Sequence, residues 1–228
     1  MTPHLLAAGS SININLGHSL SKPSQSILLI IALTLLSLAP SLLILLTGFT
    51  RIVIVLGLTR QALGLQTIPP TQVIVGLALI LSLFVMAPTL HQVNDVAVQP
   101  YLHGKITVTQ AYDKAEVPLK TWMLKQTGNT ELSLTTAADH ESPAKPQDAS
   151  MAAVIPAFLL SQLKSAFIIG FVIFIPFLII DLVVASTLMS MGVVMLPPTL
   201  VSLPFKLLLF VMVNGWVLVT HSLLVSFR

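Results

Sequence analysis

Long apolar runs, interrupted by one extended polar stretch, set the plan of this chain. Ser26 to Leu46 supplies about the 20 residues that cross a hydrocarbon layer, and Pro40 within it predicts a kink. Thr47 to Pro70 is mixed, with Arg51 and Arg60 set among aliphatic residues and Pro69-Pro70 closing the piece. Gln72 to Leu90 is again apolar, with Pro88 near its end. The stretch from 91 to 150 is polar. Ala153 to Pro198 is far longer than one span needs and must fold back or break, and a second apolar run begins at Thr199 beyond Pro197-Pro198. The pattern predicts an all-α, membrane-associated chain with four main hydrophobic helical elements arranged as kinked hairpins. Its parts are a polar arm (1–25), a first hairpin region (26–90), a polar, partly helical insert (91–150) and a second hairpin region (151–228).

The insert itself divides. Lys105 to Gln126 mixes apolar and charged positions and predicts one or two short helices broken at Pro118. Thr127 to Ser150, rich in Thr, Ser, Asp and Pro, reads as a flexible loop. The arm lacks the basic start and sustained apolar core of a secretory signal and reads as a polar arm.

Composition supports a membrane setting. The 228 residues are 55% hydrophobic and 8% charged, with a mean hydropathy of +0.94, against about a quarter charged in soluble domains. A net charge of +3, thinly scattered, does not point to nucleic acid. The absence of cysteine excludes disulfides, thiolate metal sites and cysteine nucleophiles. His4, His18, His91, His103, His140 and His221 show no metal-ligand spacing, and no phosphate loop, dinucleotide fingerprint or nucleophile elbow is present. Neither a cofactor, a metal nor enzymatic chemistry is therefore expected.

Charge placement is more informative. Asp95, Asp113, Glu116, Glu131, Asp139, Glu141 and Asp148 all lie in the insert, which leaves Asp181 as the only acid elsewhere. Ionisable groups inside lipid-grade sequence are costly, so Lys164, Asp181 and Lys206 are candidate functional residues. If the last turn centres near Met195, Asp181 and Lys206 differ by only about 4 to 5 Å in helical rise, which predicts a pair within one hairpin or between neighbouring copies. Lys164, about 25 Å along the same helix from Asp181, needs another partner or snorkels to the interface. Arg51 and Arg60, nine residues apart, face opposite sides of a helix and favour the cytoplasmic side, which places both termini and the insert outside. Met189, Met191 and Met195 surround Gly192 at the turn, where flexible thioethers mould around variable shapes. Ala166 and Gly170 form a small-xxx-small step for close helix approach.

Several blocks carry a resemblance. FTRIVIVLGLTRQALG (Phe49–Gly64), IPPTQVIVGLAL (Ile68–Leu79) and Met86-Ala87-Pro88 closely resemble the first half of the FliP family of flagellar export-gate proteins. IPAFLLSQLKSAFIIGF (Ile155–Phe171), IPFLIIDLVVAS (Ile175–Ser186), Pro197-Pro198 and SLPFKLLLFVMVNGW (Ser202–Trp216) resemble its second half. The match covers about two thirds of the chain, outside the arm and insert. The virulence-secretion subunits are similar but tend to carry Lys where Arg51 stands. The resemblance implies a subunit of the flagellar type III export gate, with a ring of five copies joined to FliQ and FliR, and with FlhB and FlhA nearby. Unfolded flagellar subunits would pass through it across the bacterial inner membrane, at the basal body, with the insert in the periplasm. It further implies that the hairpins build a cone raised largely out of the bilayer, so that apparent spans need not be spans. Met189, Met191, Gly192 and Met195 would then seal the closed pore, and Asp181, Lys206, Arg51 and Lys164 would make intersubunit charge contacts. Alternatives are the injectisome gate subunit and an ion or small-molecule transporter. This chain departs from the family at Val193 and Val194, where methionines are common, at neutral Gln162, where an acid is usual, and at Asn214, where Asp is frequent.

Overall fold

The computed structural model describes residues 25–193 and 195–227, and all regular structure among them is helical. The arm expected for 1–25 lies outside the described residues apart from Gln25, as does Val194. The chain divides into two units, Met1–Pro40 and Ser41–Arg228. The first holds most of α1 (Gln25–Leu46), an apolar helix in which the Thr34 hydroxyl donates to the Ile30 carbonyl at 2.8 Å.

In the second unit, α2 (Phe49–Ala62) lies against α7 (Met151–Ser190). Ile52, Val55, Leu56 and Thr59 are fully buried on α2, and Ala166 and Gly170 are buried on α7. A Cβ added at Gly170 would come within 2.2 Å of Leu58 Cδ1, so the small-residue step is used to bring two helices together. α3 (Thr71–Val93) packs on α2, and their connection is held by Arg60, whose Nη1 donates to the Pro69 carbonyl and the Thr71 hydroxyl, each at 3.2 Å. α3 does not stop near Leu90. It passes through a π-helical turn (Asn94–Val98) into α4 (Gln99–Leu102), a continuous stretch of 32 residues. The wider turn lies just ahead of Pro100, which has no N–H to offer a regular helix.

The insert is more ordered than its composition predicts. α5 (Val108–Lys125) runs through Pro118 unbroken, with its second half anchored in the core by buried Trp122 and Met123 and by Leu119 packed beside them. Its start is a capping box in which Thr107 Oγ1 accepts from the Gln110 backbone and Gln110 Oε1 accepts from the Thr107 backbone. The stretch expected to be a flexible loop contains α6 (Asn129–Ala138), whose Leu132 and Thr136, four residues apart, are buried on one face beside α7. A short 3₁₀ turn (Pro146–Asp148) then leads to Ser150, which caps α7 by accepting from the Ala153 N–H at 3.1 Å.

α7 is a single helix of 40 residues that includes Pro156 and Pro176. The long apolar run breaks only after it, at the turn to α8 (Pro198–Met212), which returns along α7. α9 (Gly215–Val225) follows at a bend of 63°. Among the described residues two helices, Thr71–Leu102 and Met151–Ser190, are long and apolar enough to cross a membrane, or up to four segments if each bent pair counts as one. At 1.5 Å per residue α7 is about 60 Å long, roughly twice the hydrocarbon thickness.

Candidate functional site

Asp181 on α7 and Lys206 on α8 face each other because the two helices run back from one turn. Lys206 Nζ donates to Asp181 Oδ2 at 2.6 Å and approaches the Ala62 carbonyl at the end of α2 at 3.4 Å. Ser202, one helical turn before Lys206, donates its hydroxyl to Asp181 Oδ1. Each carboxylate oxygen thus has a donor, as a half-buried charge requires. Of the two pairings left open by the sequence, the structure contains the one within a single chain. Ser202 was not singled out, although its i, i+4 spacing from Lys206 signals a shared face.

Lys164 meets an acid of the insert. Its Nζ lies 2.8 Å from Glu131 Oε1, with the lysine 59% exposed and the glutamate 13%. The hydrogen bond from Lys164 holds the Glu131 carboxyl below the usual carboxylate range, and a backbone hydrogen bond acts in the same direction. Beside it, the Gly128 N–H donates to Ser161 Oγ of α7 at 2.9 Å, so α6 is tied to α7 by one ion pair and one neutral bond. At the other end of the insert, Glu141 accepts from the Ser150 N–H at 3.0 Å, which lowers its carboxyl too.

Arg51 is buried, and its guanidinium joins three distant parts of the chain. Nη1 donates to the Ser226 carbonyl at 2.7 Å and to the Ser226 hydroxyl at 3.1 Å, while Nη2 donates to Gln126 Oε1 at 3.2 Å. The Phe227 ring lies 4.1 Å from the guanidinium carbon, and the Gln126 side-chain amide donates to the Phe227 carbonyl at 2.9 Å. Gln162, fully buried, donates weakly to the Gln126 carbonyl at 3.5 Å, while its Oε1 and Arg51 Nε are buried with no hydrogen-bond partner among the described residues. The neutral residue at 162 is therefore absorbed by an amide network, with no salt bridge to Arg51. None of Gln126, Ser226 and Phe227 was marked by motif or spacing.

The α7–α8 turn is open. Met189, Met191 and Met195 are strongly exposed, and a Cβ built on Gly192, at φ +74°, would meet nothing within 4 Å. At the opposite end of α8, Asn214 adopts left-handed geometry (φ 50°, ψ 50°) and Gly215 lies so close to Phe210 that an added Cβ would sit 2.2 Å from its ring. Asn and Asp are the side chains that tolerate such a conformation, so the exchange at 214 preserves the bend. Phe210 in turn meets Trp216 edge-on at 5.3 Å. Among the described residues no three His, Asp or Glu side chains gather as a metal site.

The long apolar helices and buried charge ties define a helical, membrane-associated protein. The FliP family model matches residues 32–223, which spans the second unit almost entirely. The chain is 51% identical to the flagellar biosynthetic protein FliP of Bacillus subtilis over 95% of this chain and 98% of that protein. It is 46% identical to the one from Caulobacter vibrioides over 99% and 85%, and 49% identical to the one from Aquifex aeolicus over 90% and 87%. The chain belongs to the FliP family.

Proposed function

We propose that the chain is a subunit of the flagellar type III export gate, one of several copies that surround the channel through which unfolded flagellar subunits leave the cell. The observation that carries this reading is the similarity to flagellar biosynthetic proteins along nearly the whole chain, a range that takes in α2, α7 and α8. Five copies assemble with FliQ and FliR at the inner membrane of the basal body, with FlhB and FlhA as neighbours and the insert on the periplasmic side. Met189, Met191 and Met195 form the apolar seal around Gly192, and Asp181, Lys206, Arg51 and Lys164 stabilise the subunit surfaces that meet in the ring.

The length of α7 supports a cone raised from the bilayer. Confining about 60 Å of helix within about 30 Å of hydrocarbon would need a tilt near 60°, beyond the usual range of 0 to 40°. Part of α7 therefore runs outside lipid, where its exposed apolar side chains require neighbouring protein. Co-expression with FliQ and FliR tests the reading. A large stable complex that restores motility to a strain lacking its own subunit is expected; a functional monomer, or solute uptake by this chain alone in liposomes, would refute it.

A further inference from the structure

The described methionines fall into distinct surroundings. Met86 and Met123 are sealed in the core at 1% and 0% exposure and Met151 is half-buried, whereas Met189 in the last turn of α7, and Met191 and Met195 in the connection to α8, stand 71%, 70% and 97% exposed. Met212 is as open as Met189 and Met191, but it lies at the bend between α8 and α9, at the far end of α8 from the other three. The chain has no cysteine, so the thioethers face no thiol competitor for a soft oxidant within it.

We propose that the α7–α8 turn is an oxidant-sensitive modification site, at which a peroxide converts Met189, Met191 and Met195 to sulfoxides and the seal then admits ions. The second half of this rests on the reading of the turn as the seal. In each step a sulfur lone pair attacks one peroxide oxygen and the O–O bond breaks. An S–O bond forms, and water leaves once the remaining oxygen takes up its proton. Sulfur is oxidised by two electrons and the peroxide is reduced by two. The product is a polar hydrogen-bond acceptor in place of an apolar, pliable side chain. A constriction that excludes ions by being dry hydrates once its lining becomes polar.

The test uses the full chain in its native complex, reconstituted in liposomes and treated briefly with hydrogen peroxide. Peptide mass spectrometry is expected to find sulfoxide on the three turn methionines at least about tenfold faster than on Met86 and Met123, following exposure. Ion leak after treatment, divided by leak before it, is expected to rise several-fold, to return after incubation with methionine sulfoxide reductase, and to stay near one in Met189→Leu/Met191→Leu/Met195→Leu. Comparable oxidation of the buried pair, or none at the turn, would overturn the proposal and leave the seal untouched. Sulfoxides on the turn with unchanged leak would overturn it through the seal reading instead.

Discussion

Lys206 Nζ sits 2.6 Å from Asp181 Oδ2, and the cation is the more deeply buried partner, its side chain 5% exposed against 27% for the aspartate. Removing the acid strands a charge in the interior with only the Ala62 carbonyl beside it. Asp181→Ala is therefore expected to destabilise the protein by about 3 to 5 kcal/mol, whereas Asp181→Ala/Lys206→Met loses much less. Thermal unfolding of the four members of this double-mutant cycle, in detergent, measures the difference. Equal losses in the single and double variants would remove the pair from the account.

The contact between Gly170 and Leu58 sets how closely α7 approaches α2. Gly170→Ala is expected to cost about 1 to 3 kcal/mol through overpacking, and Leu58→Ala in the same chain to recover part of it. The unfolding midpoints of the two single variants and the double variant decide this.

Asn214 and Gly215 make the bend between α8 and α9 for different reasons, one conformational and one steric. Asn214→Asp and Asn214→Gly are expected to be nearly neutral, while Asn214→Val loses about 1 to 2 kcal/mol because a β-branched side chain resists positive φ. Gly215→Ala is expected to displace the Phe210 ring, read as a change in Trp216 fluorescence.

The tie between α6 and α7 is expected to depend on pH. Because Glu131 is held below its ordinary range in the folded chain, its contribution is complete above that range, near pH 4, and is lost as the pH falls through the lowered value. Amide exchange in α6 should accelerate on acidification in the natural chain. In Glu131→Gln it should be faster at neutral pH and respond less to acid.

How much of this was legible in the sequence depended on the range of the interaction. The helical character of the apolar runs followed from their length and composition. The facing of Asp181 and Lys206 followed from counting rise on either side of the turn, since both positions are measured from one local feature. α6 escaped notice because its buried stripe is only Leu132 and Thr136 within a Thr-rich segment, too little for periodicity to register. It is a helix because α7 is there to receive it. The partners of Lys164 and Arg51 lie 33, 75 and 175 residues away, and no local pattern encodes a meeting at that separation. Pro118 misled in the opposite direction, since the helix that contains it is anchored by Leu119, Trp122 and Met123 and tolerates one missing backbone bond.

The knot around Arg51 also bears on how the polypeptide is made. Ser226 and Phe227 leave the ribosome 175 residues after Arg51, roughly 9 to 35 s later at about 5 to 20 residues per second. Until they arrive, α2 carries a guanidinium missing several of its acceptors. Ser226 and Phe227 act as a clasp on α2, and a molecule without them would hold Arg51 by Gln126 alone.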